Sequence, residues 1–517
     1  MTDACHDFGF SIFLTDSGLG YVYTDLEFQI MEILSEGDIA LADLSKMLDA
    51  PVSTVLFNIN KLVSKRLVVQ YRDDADRRKT FYGISAVKLI TSAEINPDLK
   101  EPELLAADIL VDKHRWFKEK IEYASLISIN KGMDLGPTLE VYNRVLADGM
   151  SEKFKDRFPD AVVDYAVDFL NGAGVCHMTV ISNKPVTIRV SKECVTSVHL
   201  KCPSVCGLSF VCRALEICTG IPHAVSPPMF DDIAFTVTYV IKPCSKNTES
   251  YEKLLSDENL LNMNGIAAGF CIITDVNGRA HMIENDLQTR IVQSLDRHPC
   301  TLKMLANELG GSASTVFSNM TKLESMGIIC TDRTLPGPNY YENCGLIILQ
   351  QTKVRVNNNK NAKESIAAAV TDPSQYFVSM FKFLLLVFES AGIDTGKFQN
   401  YLGKKFYRAT HVSNDSINLD ETILAMCRED KVMGSKVILE SFLPLTLNVR
   451  SSGFNRTGTM SMAEFYIGAI QEAILLKIGR RYDVTGFTDD TEADGAISFR
   501  FVLEPDGYTR RLLSSDN

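Results

Sequence analysis

The chain has 517 residues, 45% of them hydrophobic and 23% charged, a balance that excludes a disordered chain and is too long for one core. Its net charge of −12 disfavours indiscriminate phosphate binding, which is built from many cations displacing counterions. The longest apolar run, Phe381 to Phe388, falls far short of a membrane span, and Asp3 and Asp7 with no basic start speak against a secretory signal. The expectation is a cytoplasmic protein with no membrane partner, its thirteen irregularly spaced cysteines reduced.

Residues 1–24 are expected to form a β-hairpin. From there Leu26, Ile30, Ile33 and Leu34 fall at helical spacing and give a first helix one apolar stripe. Leu41, Leu44 and Leu48 mark a short second helix, followed by a turn at Asp49-Ala50-Pro51. A third helix follows, with Ser53 expected as its cap and Val55, Ile59 and Leu62 facing inward. Its opposite face carries Thr54, Asn58 and Lys61. Asn can pair bidentately with adenine, Thr can touch a thymine methyl and Lys can neutralise phosphate, so this face suits the major groove of double-stranded DNA. Two β-rich stretches, Leu67 to Tyr71 and Thr80 to Ile84, then flank a charged tip that includes Arg77, Arg78 and Lys79.

Three helices and a charged hairpin over 25–92 resemble the winged helix-turn-helix repressors of the arsenical-resistance and multiple-antibiotic-resistance type. By that resemblance Arg77, Arg78 and Lys79 are the residues that approach the minor groove or the DNA backbone.

After a linker at 93–115 comes a companion domain at 116–250, opening on an amphipathic helix near Trp116 to Ile129. Its later part has a small-residue helix from Ser204 to a stop at Gly220, then a strand from Ala234 to Ile241. That succession is similar to the 4-vinyl-reductase-type sensor domain, which implies an α+β ligand-binding module responding to a small-molecule effector or a redox signal. Cys202 and Cys206 are the candidate redox pair. With too few ligands for a tetrahedral site, no metal is expected, and no cofactor either.

The sequence then repeats. The segment from Leu26 to Ile84 returns about 261 positions later as Leu287 to Tyr341, and Ser53 to Leu62 shares six of ten residues with Ser314 to Leu323. The second copy is expected to run as a hairpin at 260–284, a winged helix at 285–353, a linker at 354–372 and a sensor-like domain at 373–510. Ser314, Thr315, Asn319 and Lys322 take the places of the first DNA-facing set, but the second tip, Thr334 to Asn339, has no basic cluster.

The fold expected is thus α+β, in two tandem repeats of hairpin, winged helix and sensor-like domain. Phosphate-loop, zinc-protease, nucleophile-elbow and dinucleotide motifs are absent, so no enzyme is expected. The expectation is a transcriptional regulator reading a bipartite site, with homodimerisation left open. The alternative is a non-catalytic scaffold that uses winged helices to dock proteins, which the net acidity favours.

Overall fold

A computed structural model of the chain describes residues 9–16, 18–72, 79–93, 113–191, 207–231, 233–244, 270–297, 299–332, 338–351, 362–410, 420–421, 423–424, 435–451, 456–491 and 497–505. These form a mixed α+β protein. The chain divides into two compact units: Met1–Leu99, Ile121–Ala267 and Lys353–Gly392 make the first, and Lys100–Lys120, Ala268–Thr352 and Ile393–Asn517 the second.

The first unit opens on the expected hairpin, β1 (Ser11–Thr15) and β2 (Gly18–Val22). Three helices follow, α1 (Asp25–Glu36), α2 (Leu41–Met47) and α3 (Val52–Ser64), with the two-residue strand β3 (Ile39–Ala40) between the first two. The Thr24 hydroxyl accepts from the Glu27 N–H and starts α1. Asp49, at φ 47, turns the chain from α2 into α3. The helices close over Ile30, Leu34, Leu44, Val55, Ile59 and Leu62, all buried. The wing is β4 (Val68–Arg72) paired with β5 (Thr80–Ile84), in a sheet ordered β3-β5-β4. Strand β6 (Val87–Ser92) returns beside β1, so the hairpin and the end of the winged helix share one sheet.

The companion part begins with α4 (Lys113–Asn130), whose residues belong to the second unit up to Lys120 and to the first from Ile121. Strand β7 (Met133–Asp134) completes the sheet β2-β1-β6-β7. Then come α5 (Gly136–Gly149), α6 (Pro159–Gly172), β8 (Met178–Asn183), β9 (Val186–Ser191), α7 (Leu208–Thr219), β10 (His223–Val225), β11 (Met229–Asp231) and β12 (Thr236–Pro243). Strands β10-β12-β9-β8 make one antiparallel sheet, with β11 also on β12. Arg213 of α7 donates to Asp148 of α5 at 2.6 Å, fixing the register of the two helices.

The second unit runs through a like order: β13 (Cys271–Thr274), β14 (Ala280–Ile283), α8 (Asp286–Arg297), β15 (Cys300–Thr301), α9 (Leu302–Leu309), α10 (Ala313–Ser325), β16 (Ile329–Asp332), β17 (Tyr340–Asn343) and β18 (Ile347–Gln351). Helix α9 ends on Gly310 at φ 65, a left-handed position that glycine takes without steric cost.

Where the sequence reading drew a linker at 354–372, residues 362–371 are a helix, α11 (Ala362–Thr371), followed by α12 (Tyr376–Ser390), both in the first unit. The reason is packing: Ile366 and Ala369 are buried, and Ile366 lies so close to Gly149 that a Cβ there would meet its Cδ1 at 2.7 Å. Tyr376 anchors α12 by donating to the Asn143 side-chain oxygen at 2.6 Å, while Tyr142 donates to the Tyr376 carbonyl at 2.9 Å.

The second unit closes with β19 (Ile393–Asp394), α13 (Gly396–Thr410), β20 (Ser435–Phe442), β21 (Leu445–Ser451), α14 (Arg456–Ile478), β22 (Tyr482–Thr491) and β23 (Ile497–Pro505). Helices α13 and α14 cross backbone to backbone. A Cβ on Gly403 would strike the Phe465 carbonyl and one on Gly468 the Asn400 carbonyl, so both positions require glycine. Arg408 of α13 donates to Glu472 of α14 at 2.6 Å. Trp116 is fully buried against Phe117, Phe406 and Phe465.

Candidate nucleic-acid interface

Helix α3 is built to hold one face out. Val55, Ile59 and Leu62 are fully buried, and that anchors the opposite face in solvent. Ser53 and Thr54 are exposed in its first turn and Asn58 is half-exposed one turn on. The expected cap is corrected here: the N-cap is Pro51, and Ser53 is inside the helix, because the fixed φ of proline already sets the chain for the turn. With no cap hydroxyl in use, the Ser53 side chain is left to solvent. The Asn58 amide donates to the Thr54 carbonyl at 2.9 Å, which steadies the side chain and leaves its oxygen and its second N–H for another partner.

Lys61 is differently placed from the simple phosphate contact expected of it. Its ammonium lies 2.5 Å from Oε1 of Glu27, and Lys65 lies 3.2 Å from Oε2 of the same carboxylate. The Glu27 side chain is fully buried, so the two lysines compensate a charge that water cannot reach. Lys65 also donates to the Tyr21 carbonyl at 3.2 Å. Lys61 remains 41% exposed, so its ammonium is held at the edge of the exposed face of α3. Glu27 was missed by the sequence reading, although an acidic residue one step from an apolar stripe was the available signal.

Another missed feature is apolar. Phe57 is 71% exposed on the outward face of α3, and Met47 and Val52 nearby in the chain are also exposed.

In the wing, Arg72 and Lys79 are exposed at the two ends of the tip, while Arg77 and Arg78 lie outside the described residues. Tyr71 donates to Asp38 at 2.5 Å and stacks with Phe81, tying the hairpin to the helical body.

Helix α10 in the second unit presents a matching face. Val316, Met320 and Leu323 are buried, Ser314, Thr315 and Lys322 are exposed, and the Asn319 amide donates to the Thr315 carbonyl at 2.9 Å. The cap is again corrected: Ser312, not Ser314, accepts from the Thr315 N–H at 3.1 Å, since Ser312 is the last residue with extended backbone. Gln288 stands where the first unit has Glu27, and Met326 where it has Lys65. Phe317 is 51% exposed.

The second wing overturns the expectation that the cysteines are all reduced. Cys330 and Cys344 are disulfide-bonded, with Cα atoms 6.3 Å apart, inside the reach of the bond. Glu342 is beside them, and among the described residues this trio brings three potential metal-ligand atoms within 4.8 Å of one another, although the two sulfurs here are spent on each other. The tip at 333–337 and the expected redox pair Cys202 and Cys206 lie outside the described residues.

Residues 24–87 match the family of winged helix DNA-binding domains. No curated protein and no solved structure matches the chain. The match and the three helices with their hairpin together make residues 24–87 a winged helix. Among the described residues no helix is long and apolar enough to cross a membrane.

Proposed function

We propose that the chain is a cytoplasmic, non-catalytic transcriptional regulator that arose by tandem duplication and reads a bipartite DNA site with two winged helices. The observation that carries this reading is the solvent-facing first turn of α3, Ser53 and Thr54 followed by Asn58, inside a segment that matches DNA-binding winged helices.

Several correspondences support duplication. The sheets β2-β1-β6-β7 and β14-β13-β18-β19 have the same order, and each is irregular at the same place, between Ile12 and Phe13 and between Ile272 and Ile273. The β8–β9 and β20–β21 hairpins both turn at a proline, Pro185 and Pro444. The Asp148–Arg213 pair has its counterpart in Arg408–Glu472 with the charges exchanged between the helices. A swap of sign that preserves the pair is what two descendants of one domain can reach by compensating substitutions.

In this reading Thr54, Asn58, Thr315 and Asn319 read bases, Ser53 and Ser314 contact phosphates at the helix starts, and Lys79, Lys322, Arg77 and Arg78 pair with the backbone, while Lys61, held by Glu27, adds its charge to the same face without a direct phosphate contact. The companion domains carry the response to a small-molecule effector. Selection of duplex fragments from a random library by the full chain, followed by anisotropy titration, tests it. Enrichment of one bipartite sequence is expected, with Asn58→Ala costing about 1–3 kcal/mol on that sequence and much less on unrelated DNA. Failure to enrich any duplex would overturn it.

The second reading is a scaffold that docks proteins through its winged helices, favoured by exposed Phe57, Met47 and Val52. Loss of a protein partner by Phe57→Ala with DNA binding unchanged would support it over the first.

A further inference from the structure

Six described cysteines are in no disulfide, two of them, Cys271 and Cys300, in the same unit as the bonded pair. Among the described residues the Cys330–Cys344 bond is therefore not one strut of a disulfide framework.

Its position is informative. Cys330 on β16 lies opposite Glu342 on β17 in the strand register, and Cys344 comes two residues later, so all three side chains leave the same face of the hairpin. The alternate residue, Tyr341, turns the other way into the core. The disulfide thus lies on the outer face, with both cysteines half-buried and Glu342 exposed. The bond closes a segment whose ends are 14 residues apart, and that segment contains the whole wing tip.

The first wing shows that the fold does not need it. There Ser85 makes the backbone bond to Leu67 that Cys344 makes to Ile328, and Val69 occupies the place of Cys330. Strands β4 and β5 pair along five residues without a crosslink.

We propose that Cys330 and Cys344 are a reversible thiol–disulfide site whose co-reactants are low-molecular-weight thiols and their disulfides. One small thiolate attacks a cysteine sulfur, forming a mixed disulfide and expelling the other cysteine as thiolate. A second small thiolate then attacks the mixed disulfide, leaving as the small disulfide and releasing the second cysteine. Two protons from the small thiols end on the two cysteines, and two electrons pass from the thiols to the protein bond. The Glu342 carboxylate, 3.3 Å from the Cys330 sulfur, accepts the S–H of the reduced form. Oxidation ties β16 to the end of β17, and reduction removes that tie.

This inference stands apart from DNA reading, and its test uses no DNA. The full chain is equilibrated in glutathione buffers stepped from strongly reducing to strongly oxidising, quenched in acid, alkylated and peptide-mapped by mass spectrometry. Cys330 and Cys344 are expected to pass together from doubly alkylated to linked within that range. Cys212 and Cys271, buried with their thiols pushed up to about 12, should stay thiols throughout. A bond that survives the most reducing buffer would overturn the proposal as a fixed crosslink. So would thiols that remain free in the most oxidising buffer, including the case in which they retain stoichiometric zinc with Glu342.

Discussion

The winged helix at 24–87 and the three-helix segment of the second unit, α8 to α10 with β15 to β17, run through the same order of elements and differ in how they handle charge. In the first, Lys61 and Lys65 hold the buried carboxylate of Glu27, and the wing tip is bordered by exposed Arg72 and Lys79. In the second, Gln288 and Met326 replace the carboxylate and one lysine, Lys322 is exposed, and the wing is closed by a disulfide. The comparison teaches that a buried carboxylate goes with cations to compensate it, because a carboxylate without its lysines is costlier than a neutral amide, whereas Lys322 needs no such partner and stands in solvent. It also separates what folds the module, the common Val, Ile or Met and Leu face, from what the module offers outward.

The sharpest way to break the comparison is to strip the lysines. Lys61→Ala with Lys65→Ala leaves Glu27 buried and uncompensated, and should destabilise the first module by about 3–5 kcal/mol. Lys322→Ala should stay within about 0.5 kcal/mol in the second. Hydrogen exchange resolved by peptide reads the two modules in one sample, and equal losses would refute the asymmetry.

Next in size is the wing. Replacing Arg77, Arg78 and Lys79 by Ala should flatten the salt dependence of DNA affinity by about 0.9 in log–log slope for each phosphate contact removed. The same measurement after Thr334→Ala should return an unchanged slope. A smaller effect is expected of Glu27→Gln, which copies the second module: it frees Lys61 for phosphate and should steepen the slope by about one contact. A slope unaltered by that change would mean that Lys61 does not approach DNA.

A separate effect concerns acidity. Burial raises the Glu464 carboxyl to about 7, ahead of the opposing pull of Lys397. Its folded pKa lies above the ordinary carboxylate value of 4.5, so the native state binds more protons between about 4.5 and 7. Stability contributed by this group is therefore present at the acid end and is lost as pH rises through that window. Glu464→Gln should remove the decline in the second unit while leaving the pH response of the first unchanged, as read by denaturant titrations at pH 5 and pH 8.

Much of each winged helix was legible because its signals are local. The stripe of Ile30 and Leu34 and the inward trio Val55, Ile59 and Leu62 follow from helical spacing, and β4 and β5 from β-branched runs on either side of a charged tip. What escaped depends on tertiary partners. Helix α11 follows an Asn-rich stretch that reads as a connector, and only the burial of Ile366 and Ala369 against the first unit explains it. The Cys330–Cys344 pair needs a hairpin register to bring together thiols with an uninformative spacing. Glu27 reads as a surface charge until Lys61 and Lys65 converge on it. The helix starts were misplaced by one or two residues because Ser53 and Ser314 fit a cap as well on paper as Pro51 and Ser312 do in space.

The central claim is that two helices of one polypeptide read one bipartite site. Footprinting of the full chain on its selected duplex tests it most directly, with Asn58→Ala and Asn319→Ala run in parallel. The account predicts two protected stretches, one weakened by each substitution. A single protected stretch indifferent to Asn319→Ala would contradict it.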